Sequence, residues 1–307
     1  LYDKDQGALG EVEAEKARAK LFVERAKRPR PSLDDKILTS WNGLAIAGLA
    51  RAYGATGNDN YLNLAEGAAD FVRRELSSPD GKTLWRRWRD GEKAVNGMAD
   101  DYVNMAYGLL ALYEASFRPK DLAWTIDLVL ETLRRFAADG GGVYQTSTED
   151  GRELFTRAIE NHDGVEPAPS SVMADVCLRL YDLTGREEFS DAANGILERF
   201  GNNLSSRPLA MPFLLAAWDR AAGETATLII TDRDLPGGQE LIAVAREKMR
   251  PGLVFAAYAR ADKAALTEIV PLLKDIVDEP HSRAFLCVGR SCGLPIRDAG
   301  ELRRRLG

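Results

Sequence analysis

RPRPSLDDKILTSWNGLAIAGLAR, residues 28–51, decides how the rest of the chain reads. A basic, proline-broken approach leads through two adjacent acids (Asp34, Asp35) and Lys36 to a Trp41-Asn42-Gly43 step, after which almost every residue is apolar. A helix apolar on nearly all sides has to be buried. Placing Asp35, Lys36, Ser40, Trp41 and Asn42 at its mouth costs desolvation, so these groups need partners or a ligand. The stretch predicts an inner helix over residues 38–53 with a polar pocket at its start.

Outward from this helix the same pattern returns. Residues 102–113, 172–181 and 212–218 are also apolar nearly all round, whereas residues 61–76, 122–136 and 189–200 carry one apolar stripe at helical spacing against a charged face. The first kind is inner and the second outer. Leu49-Ala50-Arg51-Ala52-Tyr53, Leu109-Leu110-Ala111-Leu112-Tyr113 and Cys177-Leu178-Arg179-Leu180-Tyr181 repeat one motif, with tyrosines 60 and 68 residues apart, so the chain is a repeat of helical hairpins. Hairpins with buried inner helices pack as an (α/α) toroid, in which polar residues ahead of each inner helix converge on one end; a right-handed solenoid is the alternative. The toroid predicts Leu49, Leu110 and Leu178 fully buried, with Glu66, Asp127 and Glu198 exposed. Residues 8–27, rich in Ala, Glu, Lys and Arg, read as a solvated helix stopped by Pro29 and Pro31. Residues 85–97 and 140–171 read as charged, Gly-containing loops.

From residue 226 the pattern changes. Strands are expected at 226–230, 253–258 and 283–288, with helices at 238–249, 264–277 and 299–306. The expected organisation is a helical-hairpin domain over 1–225 and a small α/β region over 226–307.

Composition excludes several functions. The 307 residues are 45% hydrophobic, enough for a substantial core. A net charge of −6 and a pI near 5.3 argue against general affinity for nucleic acid or anionic membrane. The longest aliphatic run, residues 44–50, is far shorter than the ~20 residues that span a bilayer. Three cysteines are too few for a secreted disulfide scaffold, so a reducing, cytoplasmic setting is expected. The opening Leu1-Tyr2-Asp3 is neither an initiator Met nor a signal peptide, and the natural N-terminus is expected to lie upstream.

The stretch around Trp41-Asn42-Gly43 resembles the signature of the spermatogenesis-associated protein 20 family. Further matches follow in family order: Asp101-Tyr102, residues 108–115 (GLLALYEA), Asp163-Gly164-Val165-Glu166-Pro167, Met211-Pro212 and Cys292-Gly293-Leu294-Pro295-Ile296. The resemblance implies a mainly α, six-hairpin glycosidase-like domain that follows a thioredoxin-like domain. It also implies that the thioredoxin-like domain and the first hairpins lie outside this chain, which should then self-associate through uncovered apolar surface. Where the family pattern has Lys, Ser and Asn, this chain has Ile159, Ala168 and Ser170.

Candidate site residues are weighed against structural roles. Paired carboxylates carry glycoside hydrolysis and sugar isomerisation, which makes Asp35, Asp101 and Glu166 the catalytic candidates. Against this, Ser32 and Asp35 also fit a helix-starting capping box, and Asp100 competes with Asp101 as a cap. Trp41, Asn42, Tyr102 and Asp163 are the substrate-binding candidates, although buried aromatics such as Tyr102 more often fill cores. Cys287 and Cys292 are a redox candidate, as a disulfide or as a target of the thioredoxin-like domain that the resemblance implies. Trp85-Arg86-Arg87-Trp88-Arg89 reads as a local ion-pair and cation–π cluster. With only His162 and His281, neither a metal site nor a histidine proton-transfer pair is expected, and no cofactor is implied. The expected function is a carbohydrate-active or carbohydrate-binding domain taking a small sugar; the alternative is a non-catalytic interaction module serving a thioredoxin-like domain. The departures at 159, 168 and 170 pull toward the alternative.

Overall fold

A computed structural model describes residues 10–307. The chain divides at Lys36 into two compact units, the first ending at Lys36 and the second running from Ile37 to Gly307. In the first unit α1 (Glu11–Ala26) is solvated, as its composition requires.

The second unit opens with β1 (Ile37–Leu38) and then alternates inner and outer helices. These are α2 (Thr39–Thr56) and α3 (Asp59–Glu75), α4 (Ala99–Ser116) and α5 (Pro119–Phe136), α6 (Pro169–Thr184) and α7 (Glu187–Ser206), and finally α8 (Pro212–Ala222). Along the inner layer α2 packs on α4, α4 on α6 and α6 on α8, while each outer helix packs on its own inner partner. Three of these helices open with Pro119, Pro169 and Pro212 in their first turns, where the missing N–H and fixed φ cost nothing.

The tyrosine repeat stands at one backbone position, four residues before the helix cap. Helices α2, α4 and α6 each end where a left-handed residue donates its N–H to the repeat tyrosine's carbonyl: Gly57 to Tyr53 (2.8 Å), Phe117 to Tyr113 (2.6 Å) and Gly185 to Tyr181 (2.7 Å). One further residue then starts the outer helix. Glycine suits two of these caps, but Phe117 adopts φ 59° against its side-chain preference. Its ring is 1% exposed and stacks edge-on with Tyr113 and Phe255, so burial offsets the backbone cost.

Burial departs from the all-round pattern in one respect. Leu110 is fully buried and Glu198 exposed as expected, but Leu49 and Leu178 are partly exposed and Glu66 and Asp127 half-buried. Helix α4 is enclosed along nearly its whole length, because α2, α5 and α6 flank it. Helix α2 leaves Trp41, Ala45, Gly48 and Arg51 on one exposed face.

Residues 85–97 form a hairpin of β2 (Trp85–Arg89) and β3 (Glu92–Asn96), not the expected loop. Asp90 and Gly91 both have positive φ, the requirement of a type I′ turn that Asp-Gly signals. β1 adds to this hairpin antiparallel, Lys93 sits 3.7 Å from the Trp85 ring centroid, and Arg86 reaches back to α4.

The C-terminal region holds β4 (Ala226–Ile230), α9 (Gly238–Arg246), β5 (Leu253–Ala257), α10 (Lys263–Ile269), β6 (Ala284–Val288), β7 (Ser291–Cys292) and α11 (Ala299–Leu306). The sheet order is β5-β4-β6-β7, with β4 and β5 parallel and the other pairs antiparallel. Alternation divides β4 between two cores: Ile229 packs with the helical hairpins, Leu228 and Ile230 with α9, α11 and Phe117. The helix expected over 264–277 stops at Ile269, since Pro271 cannot continue it. The α/β elements lie in the same compact unit as the hairpins.

Candidate functional site

The N-terminal ends of α2 and α4 lie side by side, and Asp101 joins them. Its Oδ1 accepts from the Ser40 N–H (3.0 Å), and its Oδ2 from the Met98 N–H (3.0 Å) and the Arg86 guanidinium (3.0 Å). Asp101 thus satisfies one orphan N–H at the start of each helix. The carboxylate is fully buried, and burial together with the neighbouring Asp100 pushes it up to about 7 against the pull of Arg86. Arg86 also holds Asp100 with contacts of 2.9 and 3.0 Å. Asp101, not Asp100, is therefore the cap.

No capping box forms from Ser32 and Asp35, because α2 begins only at Thr39. Asp35 is solvent-exposed and belongs to the first unit. Within the second unit, Glu166 is a half-buried carboxylate on the loop before α6. Its Oε1 accepts from the Trp41 indole N–H at 2.5 Å, and its Oε2 lies 3.5 Å from the Asn104 amide nitrogen. Trp41 is 57% exposed while Asn104 is fully buried, and the Asn104 Oδ1 has no hydrogen-bond partner among the described residues.

The remaining candidates bond to the fold itself. Asp163 accepts from the N–H of Ala168 and the N–H of Phe213, both at 2.8 Å, so one side chain fixes the starts of α6 and α8. Asn42 donates to the Leu38 carbonyl of its own first turn (2.8 Å). Tyr102 lies in the core, its hydroxyl accepting from the Leu84 N–H (3.0 Å) and Arg135 (2.5 Å). Ala168 is fully buried and the Ser170 hydroxyl accepts from the Val143 N–H, so two of the three departures fill packing positions.

The structure therefore brings together Trp41, Glu166 and Asn104. Asp101 shares no hydrogen-bond partner with Glu166 among the described residues. Asn104 was not among the sequence candidates, although it stands one turn beyond Asp101 as the polar exception in an apolar helix. Trp41 offers a ring face held in place through its N–H. Glu166 offers a carboxylate, and Asn104 an acceptor without a partner. An aromatic face beside such polar groups is suited to a ligand with an apolar face and hydroxyl edges.

Cys287 and Cys292 oppose each other across β6 and β7 and are disulfide-bonded. Cys287 is buried and Cys292 exposed. The remaining thiol, Cys177, is fully buried, which pushes its pKa up. Among the described residues no group of three or more His, Cys, Asp or Glu is placed to hold a metal ion, and no helix is long and apolar enough to cross a membrane.

Stacked hairpins of inner and outer helices, with a polar end and an appended α/β region, define a mainly α helical-hairpin domain. No protein-family model matches the chain. The particular resemblance is to spermatogenesis-associated protein 20: the human protein is 30% identical over 298 residues, covering 94% of this chain and 38% of the relative. The rat protein of that name is 28% identical over 318 residues, covering 98% of this chain and 40% of the relative. The kinship read from the motifs thus extends over nearly the whole chain, which spans about two fifths of these relatives' length. Among solved structures, a sugar epimerase from a ruminal bacterium is similar at TM-score 0.45 and 16% identity, covering 54% of this chain and 43% of that one.

Proposed function

We propose that the α2/α4 end of the helical domain binds a small sugar, with Trp41 as the stacking face and Glu166 and Asn104 as hydrogen-bonding groups. The observation that carries this reading is the 2.5 Å bond from the Trp41 N–H to Glu166, which orients an exposed indole beside a half-buried carboxylate. The unpartnered Asn104 Oδ1 supports it, because a buried acceptor without a donor is costly and a sugar hydroxyl would supply one. Binding is favoured over turnover: Asp101 is sealed beneath the helix starts with both oxygens occupied, so it does not offer Glu166 an acid/base partner.

The test is a thermal-shift and calorimetric screen of monosaccharides and disaccharides. A true ligand should stabilise the protein by about 2.7 kcal/mol at a hundredfold excess over Kd. Trp41→Ala and Glu166→Gln should each abolish the response while the far-UV spectrum stays helical. If no sugar shifts the wild type, the reading fails.

A second reading is favoured by the disulfide. Cys292 is exposed near the tip of the β6/β7 hairpin, where a thioredoxin-like domain of the kind the family resemblance implies would reach it. Attack of a thioredoxin thiolate on the Cys292 sulfur would form a mixed disulfide and release Cys287 as thiolate. A thioredoxin lacking its resolving cysteine should then trap this chain covalently, and Cys292→Ser should prevent trapping. No trapped species would exclude this role.

A further inference from the structure

At the opposite end of the inner helices, the α/β region meets α4 across a cavity of about 280 Å³. Its lining includes Glu66, Arg118, Arg233, Arg246, Gln239 and the left-handed Phe117. The nearby apolar wall comes from Tyr53, Leu62 and Ile242. Three guanidinium groups around one cavity stand out in a chain of net charge −6.

Their partners are unequal. Arg118 is matched by Glu66 (3.0 Å) and Asp121 (2.7 Å), yet its Nη2 is buried with no hydrogen-bond partner among the described residues. Arg246 donates from Nη2 to the carbonyls of Ala115 (2.7 Å) and Glu114 (3.3 Å), and Arg233 donates from Nη1 to the Ser116 carbonyl. Those carbonyls close the last turn of α4. Among the described residues, neither Arg233 nor Arg246 forms an ion pair with a carboxylate.

The C-terminal end of a helix supplies only about half a negative charge. Two guanidinium charges set against it leave a surplus, since the nearby Glu114 is already paired with Arg179. Each arginine spends one nitrogen of its fork on carbonyls, and Arg246 also meets the Tyr53 side chain, out of five N–H donors. Both also lie against Phe117, with guanidinium carbons 5.6 and 5.5 Å from its ring centroid, which holds them in place. Preset forks with spare donors match the oxygens of a phosphate group. The cavity has room for more than the phosphate itself.

We propose that this cavity, between the end of α4 and α9, is a binding site for a small phosphate-bearing molecule, held by Arg233 and Arg246 with Arg118 at its edge. The site lies apart from the Trp41–Glu166 end and does not depend on the sugar-binding reading. Glu66 acts against the anion, both by its own charge and by engaging Arg118.

The experiment titrates inorganic pyrophosphate into the whole chain by calorimetry and thermal shift, with sodium chloride at matched ionic strength and citrate as controls. The wild type should show a saturable response beyond the chloride control. Arg233→Gln should weaken apparent affinity at least tenfold, and Glu66→Gln should tighten it several-fold. Should Arg233→Gln fail to fold, as judged by circular dichroism, Glu66→Gln decides alone. Absence of a saturable response overturns the proposal, as does an affinity that Glu66→Gln leaves unchanged. Tighter binding of citrate than of pyrophosphate overturns the phosphate assignment.

Discussion

Gly43 of α2 and Gly108 of α4 meet backbone to backbone: a Cβ on Gly108 would lie 2.3 Å from the Gly43 carbonyl oxygen, and one on Gly43 would lie 2.3 Å from the Asn104 carbonyl oxygen. The glycine of the Trp41-Asn42-Gly43 step therefore lets two helices cross closely, which brings Asn104 beside the element that carries Trp41. A side chain at either position must push backbone against backbone, and buried backbone does not give way cheaply. Gly43→Ala and Gly108→Ala should each destabilise by about 3 kcal/mol, the upper end of the overpacking range. Gly48, in the same helix with open space around its Cβ position, is the control. Gly48→Ala should stabilise by roughly 0.5–1 kcal/mol. Urea denaturation of the three variants measures the contrast, and equal effects would show that the crossing is not tight.

Asp163 holds the starts of two helices with one carboxylate. Losing a cap costs roughly 0.5–2 kcal/mol, so Asp163→Ala should cost about 1–4 kcal/mol. Asp163→Asn keeps one carbonyl acceptor and should lie between. The reading is checked by chemical denaturation, and a neutral Asp163→Ala would remove the capping role.

Asp101 gives the protein a pH dependence with a definite sign. Its carboxyl titrates near 7 in the fold, mainly through burial, and near the ordinary value of about 3.9 when unfolded. Between those values the native state holds more protons than the unfolded one. Its contribution is therefore fully present below about pH 4 and is lost as pH rises through 7. The stability of wild type minus that of Asp101→Asn should fall between pH 4.5 and 7.5 in parallel denaturation series. A difference that grows with pH would show the opposite shift.

Thiol chemistry separates the three cysteines. In the unreduced native protein a thiol reagent should find no fast-reacting group, since Cys287 and Cys292 are bonded and Cys177 is buried. Mild reduction should release the hairpin pair, with exposed Cys292 reacting first. Two fast thiols before reduction would show that the pair is open in solution.

Most of the hairpin architecture was legible because helical burial writes itself at a fixed spacing. The tyrosine repeat was visible as a pattern, and the structure places each tyrosine four residues before a left-handed cap, at Gly57, Phe117 and Gly185. The β2/β3 hairpin was missed even though Asp90-Gly91 signals a type I′ turn, because the charged strands lack apolar alternation. Leu49 and Leu178 were read as fully buried because their helices are apolar on nearly all sides. Composition shows that a helix is apolar, but only its neighbours determine which sides they cover.

The candidate site divides along the same line. The sequence by itself determined that polar residues gather where α2 and α4 begin, because a buried helix start must satisfy its free N–H groups locally. It did not determine their roles. Tertiary structure decided that Asp101 and Asp163 serve as caps, that Tyr102 belongs to the core, and that Trp41 meets Glu166 across 125 positions of chain. It likewise decided that Arg233 and Arg246 face one cavity at the end of α4. The physical reason is that hydrogen-bond satisfaction and charge balance depend on distances between side chains remote in sequence. Periodicity carries only the local geometry.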